Sequence, residues 1–217
     1  MTRTQKSLVG KKVAGTLFMD VKSAFNNVDK TIIGQRIEVL GLEADLIRWT
    51  MSFMSDWRVK LVLDGETGED YQVDTGVPQG SPAAPILFVT YLSGIFEVVE
   101  QAATGISGLS FVDDIGWLAE GKGEEEVAAK LSEAAAAAME WGKNNGVAFG
   151  EGKTEAAMFW RKTKGTEAKA KVIGGEEEVA FNKVATRWLG VWLDSQLTLK
   201  DHHTTRLKSG RNPMARL

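Results

Sequence analysis

Runs of apolar residues bounded by turn residues predict that strands and helices alternate along the chain. Residues 14–21 form an almost continuous apolar run, which predicts a buried strand. Asp29 then predicts the N-cap of a helix over residues 30–40 that ends at Gly41. A second helix is predicted from about Glu43. The N-terminal part is therefore expected to place one strand against two helices.

The middle of the chain is predicted to contain a hairpin and a long helix. Residues 59–63 lead into Asp64-Gly65, a dipeptide that favours a two-residue turn between antiparallel strands. A loop rich in turn residues follows. It leads into a long apolar helix that starts at Pro82 or Pro85, since proline suits only the first helical turn.

The last part of the pattern predicts more strands around one further helix. Apolar runs flank Asp113-Asp114, which predicts a tight hairpin with both aspartates at its tip. Residues 124–145 predict an alanine-rich helix. Short strands are expected near residues 156–160, 172–173, 179–181 and 188–193. This order of elements predicts an α+β fold with a small antiparallel sheet packed against helices.

Composition narrows the class of protein. The 217 residues include no cysteine, which excludes a disulfide scaffold and a cysteine-ligated zinc site. The two histidines, His202 and His203, are adjacent, which disfavours a Ser-His-Asp hydrolase or a histidine metal centre. The longest apolar stretch, residues 86–99, is too short and too polar for a bilayer. An intracellular protein outside the membrane is expected.

The charge pattern leaves nucleic-acid binding open. The formal net charge is −3, whereas nucleic-acid enzymes usually carry a basic surface. Residues 200–217, however, contain five Lys and Arg against one Asp, while residues 120–140 are acidic. The positive charge is therefore concentrated at the C-terminal end.

Carboxylates at strand ends are the strongest candidates for chemistry. Asp20 ends the first predicted strand, and Asp113 and Asp114 lie between two others. Adjacent carboxylates repel each other unless cations bind, so the pattern suits two divalent metal ions. The alternatives are a surface aspartate that caps a turn at position 20 and a chance aspartate pair.

Several ordered blocks give the chain a specific family resemblance. They are residues 18–25, 76–82, 111–114, 152–155 and 188–194, which read FMDVKSAF, GVPQGSP, FVDD, GKTE and WLGVWLD. In this order they resemble the palm of a reverse transcriptase of the kind encoded by non-LTR retrotransposons. The resemblance implies a polymerase palm with a primer-grip-like hairpin near the C-terminal end. It also implies an RNA-directed DNA polymerase that joins deoxynucleotides to a primer 3′-hydroxyl.

The resemblance assigns a role to each candidate catalytic residue. Asp20, Asp113 and Asp114 are expected to hold two Mg²⁺ or Mn²⁺ ions, and Lys153 is the expected general acid for pyrophosphate. Read alone, Lys153 is equally well an exposed loop lysine.

Three residues are expected to contact the incoming deoxynucleoside triphosphate. Phe25 corresponds to the steric gate that rejects a ribose 2′-hydroxyl, although its position also suits a core phenylalanine. Gln79 and Gly80 are expected at the incoming nucleotide or the templating base. Alone, their block reads as a helix-entry loop with Ser81 as N-cap. Asn26 replaces an aspartate usual in the family, and little effect is expected.

The remaining expectations concern partners and domain limits. Trp188, Leu189 and Gly190 are expected to grip the primer, and the partners are an RNA template and a DNA primer. Residues 1–195 are interpreted as a palm without fingers, and residues 196–217 as the start of a truncated thumb. Little polymerisation by this chain alone is expected. The alternative is a catalytically inactive palm that binds nucleic acid or protein; the oligomeric state stays open.

Overall fold

The computed structural model describes residues 13–150, 152–160, 171–174, 177–182 and 184–214. The strands in these ranges are β1 (Val13–Lys22), β2 (Trp57–Leu63), β3 (Glu66–Val73), β4 (Ile106–Phe111), β5 (Asp114–Gly121), β6 (Ala148–Phe149), β7 (Glu155–Phe159), β8 (Lys171–Gly174), β9 (Glu177–Ala180), β10 (Ala185–Trp188) and β11 (Val191–Asp194). The helices are α1 (Lys30–Val39), α2 (Ala44–Phe53), α3 (Ala84–Leu92), α4 (Gly94–Ala102), α5 (Glu124–Asn144) and α6 (Lys200–Met214). None of the helices in these ranges is long and apolar enough to cross a membrane.

The central sheet is antiparallel and is built around β1. On one side β1 pairs with β5, which pairs in turn with β4; on the other side it pairs with both β7 and β6. The pairing with β5 runs along the strand until Asp20 lies opposite Asp114. This confirms the α+β class with a small antiparallel sheet.

The two faces of β1 have different neighbours because side chains alternate along a strand. Leu17 and Met19 are fully buried in the main core, which α5 covers from one side of the sheet. Gly15 permits this close packing, since a Cβ there would lie 2.5 Å from a Val127 methyl group. On the opposite face Phe18 packs in a smaller apolar cluster that includes Trp188 of the C-terminal hairpin.

Most of the predicted elements are confirmed. The first strand lies where the apolar run placed it, and Asp29 caps α1 by accepting hydrogen bonds from the backbone N–H groups of Thr31 and Ile32. Gly41 follows α1 with a φ of 69°. The turn of the β2–β3 hairpin is Asp64-Gly65, as predicted. The short β6 was not predicted, since a pair of strand residues has no periodicity to detect.

The prediction of one long apolar helix is wrong, because the helix breaks at Ser93 between α3 and α4. The Ser93 hydroxyl donates to the Thr90 carbonyl at 2.7 Å and accepts from Arg36 Nε at 2.7 Å. Gly94 follows, and its missing side chain leaves room for the Trp141 indole, which would lie 3.3 Å from a Cβ. Hydrophobicity stays high across the break, so the apolar pattern could not reveal it.

Candidate active site

The three candidate carboxylates come together at one end of the central sheet. Asp20 and Asp114 are register partners on adjacent antiparallel strands, an arrangement that puts both side chains on one face. Asp113 lies in the turn beside them, and its carbonyl accepts a 3.1 Å hydrogen bond from the Val21 N–H. The fold therefore joins two stretches of chain 93 positions apart (113 − 20 = 93) at one site.

The turn that carries Asp113 differs by one residue from the prediction. Both aspartates were expected at the tip, but the tip is Val112-Asp113, and Asp114 begins β5 opposite Phe111. Val112 has a φ of 57°, which is rare for a β-branched residue. A valine has no preference for such a turn, so the sequence pattern could not place it there.

The charges of the three carboxylates act on one another at this end of the sheet. Burial raises the pKa of Asp114, and the negative charges of Asp113 and then Asp20 raise it further. In the absence of cations this end of the sheet thus concentrates negative charge, which destabilises the ionised form of Asp114.

Lys153 and Gly150 bring a second segment of chain to Asp20. Lys153 Nζ donates to Asp20 Oδ2 at 2.9 Å, and this hydrogen bond is the main reason that the pKa of Lys153 is raised. The Gly150 N–H donates to the Asp20 carbonyl at 2.8 Å. A Cβ on Gly150 would lie 3.3 Å from Asp20 Oδ2, so a larger residue would crowd the carboxylate. Sequence reasoning missed Gly150, whose signal was only its position just before the GKTE block.

Phe25, Gln79 and Gly80 line one cavity of about 510 Å³. Phe25 is half-buried, and its ring centroid lies 5.4 Å from that of Phe88, so the residue both lines the cavity and packs against the core. Gln79 Nε2 donates to Asn26 Oδ1 at 3.3 Å. Asn26, for which little effect was predicted, is thus in contact with the Gln79 amide.

The loop before Gln79 is held by its backbone against the segment that follows β1. The Gly76 N–H donates to the Val28 carbonyl at 2.8 Å, and the Val77 N–H donates to the Phe25 carbonyl at 2.7 Å. Gly76 has a φ of 89°, and a Cβ there would lie 2.9 Å from the Phe25 carbonyl oxygen. Ser81 does not occupy the N-cap position; its hydroxyl instead accepts from the Ala83 N–H at 3.2 Å, just before α3.

The predicted primer-grip residues form the turn end of the β10–β11 hairpin. Trp188 stacks on Phe18 with ring centroids 5.0 Å apart. Leu189 and Gly190 make the turn, with φ angles of 48° and 78°, and the Leu189 side chain is exposed. Phe18 and Asp20 lie on the same face of β1 because they are two residues apart. The hairpin therefore packs on the face of the sheet that carries the Asp20 carboxylate.

The chain is similar in sequence to polymerases encoded by mobile elements. A polymerase of the mobile element jockey from Drosophila funebris, described as an RNA-directed DNA polymerase, is 25% identical over 220 residues. That match covers 98% of this chain and 23% of the relative. A Pol polyprotein of the type-1 retrotransposable element R1 2 from Nasonia vitripennis is 38% identical over 84 residues, covering 39% of this chain and 20% of the relative. The chain thus spans about a fifth to a quarter of these relatives' length.

Solved structures share the fold, and a family model matches most of the chain. The apo telomerase of Candida tropicalis, truncated from its C-terminal domain, superposes with a TM-score of 0.61 at 16% identity, covering 90% of this chain and 37% of the telomerase. The family model described as "Reverse transcriptase (RNA-dependent DNA polymerase)" matches residues 2–193. The resemblance inferred from the sequence blocks is confirmed, and the chain belongs to the reverse transcriptase family.

Proposed function

We propose that this chain is the catalytic core of an RNA-directed DNA polymerase, which transfers deoxynucleotides to a primer 3′-hydroxyl at the end of the sheet near Asp20. The register pairing of Asp20 with Asp114, with Asp113 in the adjoining turn, carries the proposal. Carboxylates from separate strands at one position are what two-metal nucleotidyl transfer requires.

The donor set fits hard divalent cations. Carboxylate oxygens are the ligands that Mg²⁺ and Mn²⁺ prefer, and a cation would relieve the repulsion that raises the pKa of Asp114. Within the described ranges, no three His, Cys, Asp or Glu side chains already form a metal-binding group. Lys153 holds one Asp20 oxygen instead. Asp20 and Asp113 would hold two ions, and Asp114 would add negative charge beside them. The bound ions would lower the pKa of the primer 3′-hydroxyl and neutralise the negative charge of the triphosphate.

Lys153 is proposed to act as the general acid. Its ammonium already lies at the catalytic carboxylates, and its raised pKa keeps it protonated at neutral pH. Loss of the Asp20 oxygen as a partner would lower the Lys153 pKa towards its ordinary value. Lys153 could then release its proton to the leaving pyrophosphate more readily.

The cavity beside Gln79 is proposed to receive the deoxynucleoside triphosphate. The Phe25 ring at its wall would fill the space next to the sugar C2′ and exclude a ribonucleotide. The Gln79 amide, oriented by Asn26, can donate and accept at a base or sugar edge. Gly80 has a φ of 92° and open space where a Cβ would point, so backbone can approach a ligand there.

The exposed turn of the β10–β11 hairpin is proposed to position the primer. Trp188 fixes the hairpin on Phe18, and the Leu189 side chain is exposed at the turn. An RNA template and a DNA primer are the proposed partners. A telomerase from Candida tropicalis with the same fold was solved with a fragment of telomeric RNA. Residues 1–195 are proposed to form the palm and residues 196–217 the start of a thumb. An intracellular location is also proposed.

Metal binding and nucleotide addition together test the proposal. Calorimetric titration of Mn²⁺ into the wild-type chain is expected to give a carboxylate-dependent signal that Asp113→Asn removes. Addition of one deoxynucleotide to a DNA primer on an RNA template is expected to be slow and to be absent in the same variant. Equal Mn²⁺ binding by Asp113→Asn and the wild type would contradict the proposed metal site.

A non-catalytic palm is the second candidate function. It is favoured by the ion pair that Lys153 makes with Asp20, which competes with any cation for that carboxylate. This alternative predicts a salt-dependent gel shift with an RNA–DNA duplex, no metal binding and no nucleotide addition.

A further inference from the structure

Both faces of the β2–β3 hairpin are exposed to solvent. Every residue of β2 is exposed, and so is every residue of β3 except Val73. In the described part of the chain these two strands pair with each other and with no third strand. A two-stranded hairpin on its own is at best marginally stable in water, so such a hairpin normally packs against another layer.

One face of the hairpin is almost entirely apolar. Alternate residues of a strand share a face, and register partners on the two strands do so as well. By this rule the apolar face consists of Trp57, Val59, Leu61, Leu63, Tyr71 and Val73. The opposite face is mostly polar, and there Lys60 Nζ lies 3.6 Å from Asp70 Oδ1. The hairpin thus has the pattern of a strand pair with one face buried, although nothing among the described residues buries that face.

Aromatic rings of α2 extend the apolar face beyond the base of the hairpin. The Trp49 ring stacks on Phe53 with centroids 5.2 Å apart, and Phe53 meets the Trp57 ring edge-on at 5.9 Å. Trp49 is 49% exposed, and Leu61, Leu63 and Tyr71 are 60–68% exposed. With about 150–250 Å² for each fully exposed large side chain, the face and Trp49 together expose roughly 600 Å².

An apolar surface of this size indicates a binding site. The largest apolar patch on a typical monomer measures roughly 300–600 Å², and it is often functional. A specific protein interface buries about 800 Å² on each partner. The hairpin and Trp49 therefore supply most of the area that one partner contributes to a stable dimer.

The charges of the hairpin decide which class of partner fits. Residues 56–74 contain six Asp and Glu against two Lys and Arg, a net charge of −4 (2 − 6 = −4). Negative charge repels a phosphate backbone and an anionic membrane surface alike. The partner is therefore a protein surface that is itself largely apolar.

The apolar face is complementary to a second copy of itself. Near the tip of the hairpin a hollow of about 540 Å³ is lined by Leu61, Leu63 and Tyr71. At the base the rings of Trp49 and Trp57 are exposed. A two-fold arrangement that places the base of each hairpin against the tip of the other brings the rings of one copy to the hollow of its partner. Reciprocal contacts of this kind are what a symmetric dimer interface requires.

We propose that two copies of this chain form a symmetric dimer through the apolar face of the β2–β3 hairpin. The dimer is independent of the proposed polymerase activity, because Asp20, Asp113 and Asp114 lie outside the hairpin. Salt strengthens this dimer, since it screens the repulsion between two acidic hairpins and leaves the apolar contact in place. An ionic contact would have the opposite salt dependence.

The test is sedimentation velocity of the whole chain over a concentration series, at low and at high salt. A reversible equilibrium between monomer and dimer is expected, with a Kd on the order of 10 µM because the patch is at the small end of specific interfaces. The Kd should fall about two- to fivefold between about 50 and 500 mM NaCl.

Substitutions on the two faces of β2 provide a matched pair. Leu61→Ser is expected to weaken the dimer at least about tenfold, because each substitution is present twice in a symmetric dimer. The control is Val62→Ser, since Val62 is the next residue, is 63% exposed and lies on the opposite face. It is expected to change the Kd less than about twofold. Tyr71→Ser should act like Leu61→Ser from the other strand, and circular dichroism with thermal melting establishes that each variant folds.

Four results would overturn the proposal. The first is a chain that stays monomeric throughout the series; binding of that monomer to neutral phosphatidylcholine vesicles would then identify a lipid surface as the occupant. The second is an equal effect of Val62→Ser and Leu61→Ser, which would indicate association through the strand edges. The third is open-ended growth of oligomers beyond the dimer. The fourth is a dimer that salt weakens, which would indicate an ionic contact elsewhere on the chain.

Discussion

Asp194 connects the C-terminal hairpin to the helix that follows it, and its removal should destabilise this junction. The buried carboxylate accepts from the N–H groups of Gln196, Thr198 and Leu199 at 3.1, 3.0 and 2.7 Å. It also accepts from the Thr198 hydroxyl at 3.0 Å. The carboxylate therefore fixes the turn between β11 and α6, and with it the relative position of the hairpin and the helix.

The magnitude of the effect follows from these four hydrogen bonds. A hydrogen bond to a charged group contributes about 1.5–3 kcal/mol, but bonds to one carboxylate are not additive. We expect Asp194→Ala to lower the free energy of unfolding by about 2–4 kcal/mol, or Tm by roughly 4–16 °C for a chain of this size. Asp194→Asn keeps one acceptor oxygen and should lose about half as much.

The pH dependence provides an independent check. Burial raises the pKa of Asp194, but the hydrogen bonds from Thr198, Gln196 and Leu199 outweigh it and hold the pKa below its usual 3.8. Because the folded-state pKa is lowered, the stabilisation is fully present above the unfolded-state value and is lost as pH falls through the folded-state value. The stability difference between wild type and Asp194→Asn should therefore shrink below about pH 4.

The assay is urea unfolding at neutral and acidic pH, with hydrogen exchange of the α6 amides to detect local opening. Asp201→Ala is the matched control, since this residue lies in the first turn of α6 and its loss should cost less than about 1 kcal/mol. A wild-type stability for Asp194→Ala, or an equal loss for Asp194→Asn and Asp194→Ala, would refute the reasoning.

Two other substitutions test the carboxylate end of the sheet. Gly76→Ala should reduce the free energy of unfolding by about 1–3 kcal/mol, because the φ of 89° and the 2.9 Å approach to the Phe25 carbonyl oxygen leave no room for a methyl group. Urea unfolding measures this loss. The control is Gly68→Ala, which lies in an exposed strand. Lys153→Met should increase Mn²⁺ affinity several-fold by freeing Asp20, while slowing nucleotide addition. Calorimetry and primer extension measure the two effects, and a parallel loss of both would show that Lys153 supports the metal site.

Much of the fold could be predicted because its signals are local. The apolar run that forms β1, the Asp29 cap and the Asp64-Gly65 turn each act within a few residues of chain, and all three appear where the pattern placed them. The break at Ser93 leaves no signal in the apolar pattern, and one partner of the Ser93 hydroxyl is Arg36, a residue far away in sequence.

The candidate site likewise has residues that the sequence could identify and residues that it could not. The family blocks identified Asp20 and Asp113, and the sheet register brings them together. The one-residue shift of the turn depends on pairing across the hairpin, which no local preference of Val112 indicates. The roles of Gly150 and Asn26 arise from contacts between distant segments, and such contacts leave no local pattern in the sequence.

The main chain around Asp20 is bonded on both sides: its carbonyl accepts from Gly150, and the next amide donates to Asp113. The main chain at position 20 is thus fixed by backbone hydrogen bonds that do not depend on the charge of the Asp20 side chain. Asparagine at position 20 is therefore expected to keep this backbone geometry while it removes the carboxylate that the proposed chemistry needs. The geometry of this end of the sheet and the proposed chemistry can therefore be lost separately, and an intact sheet is by itself no proof of catalysis.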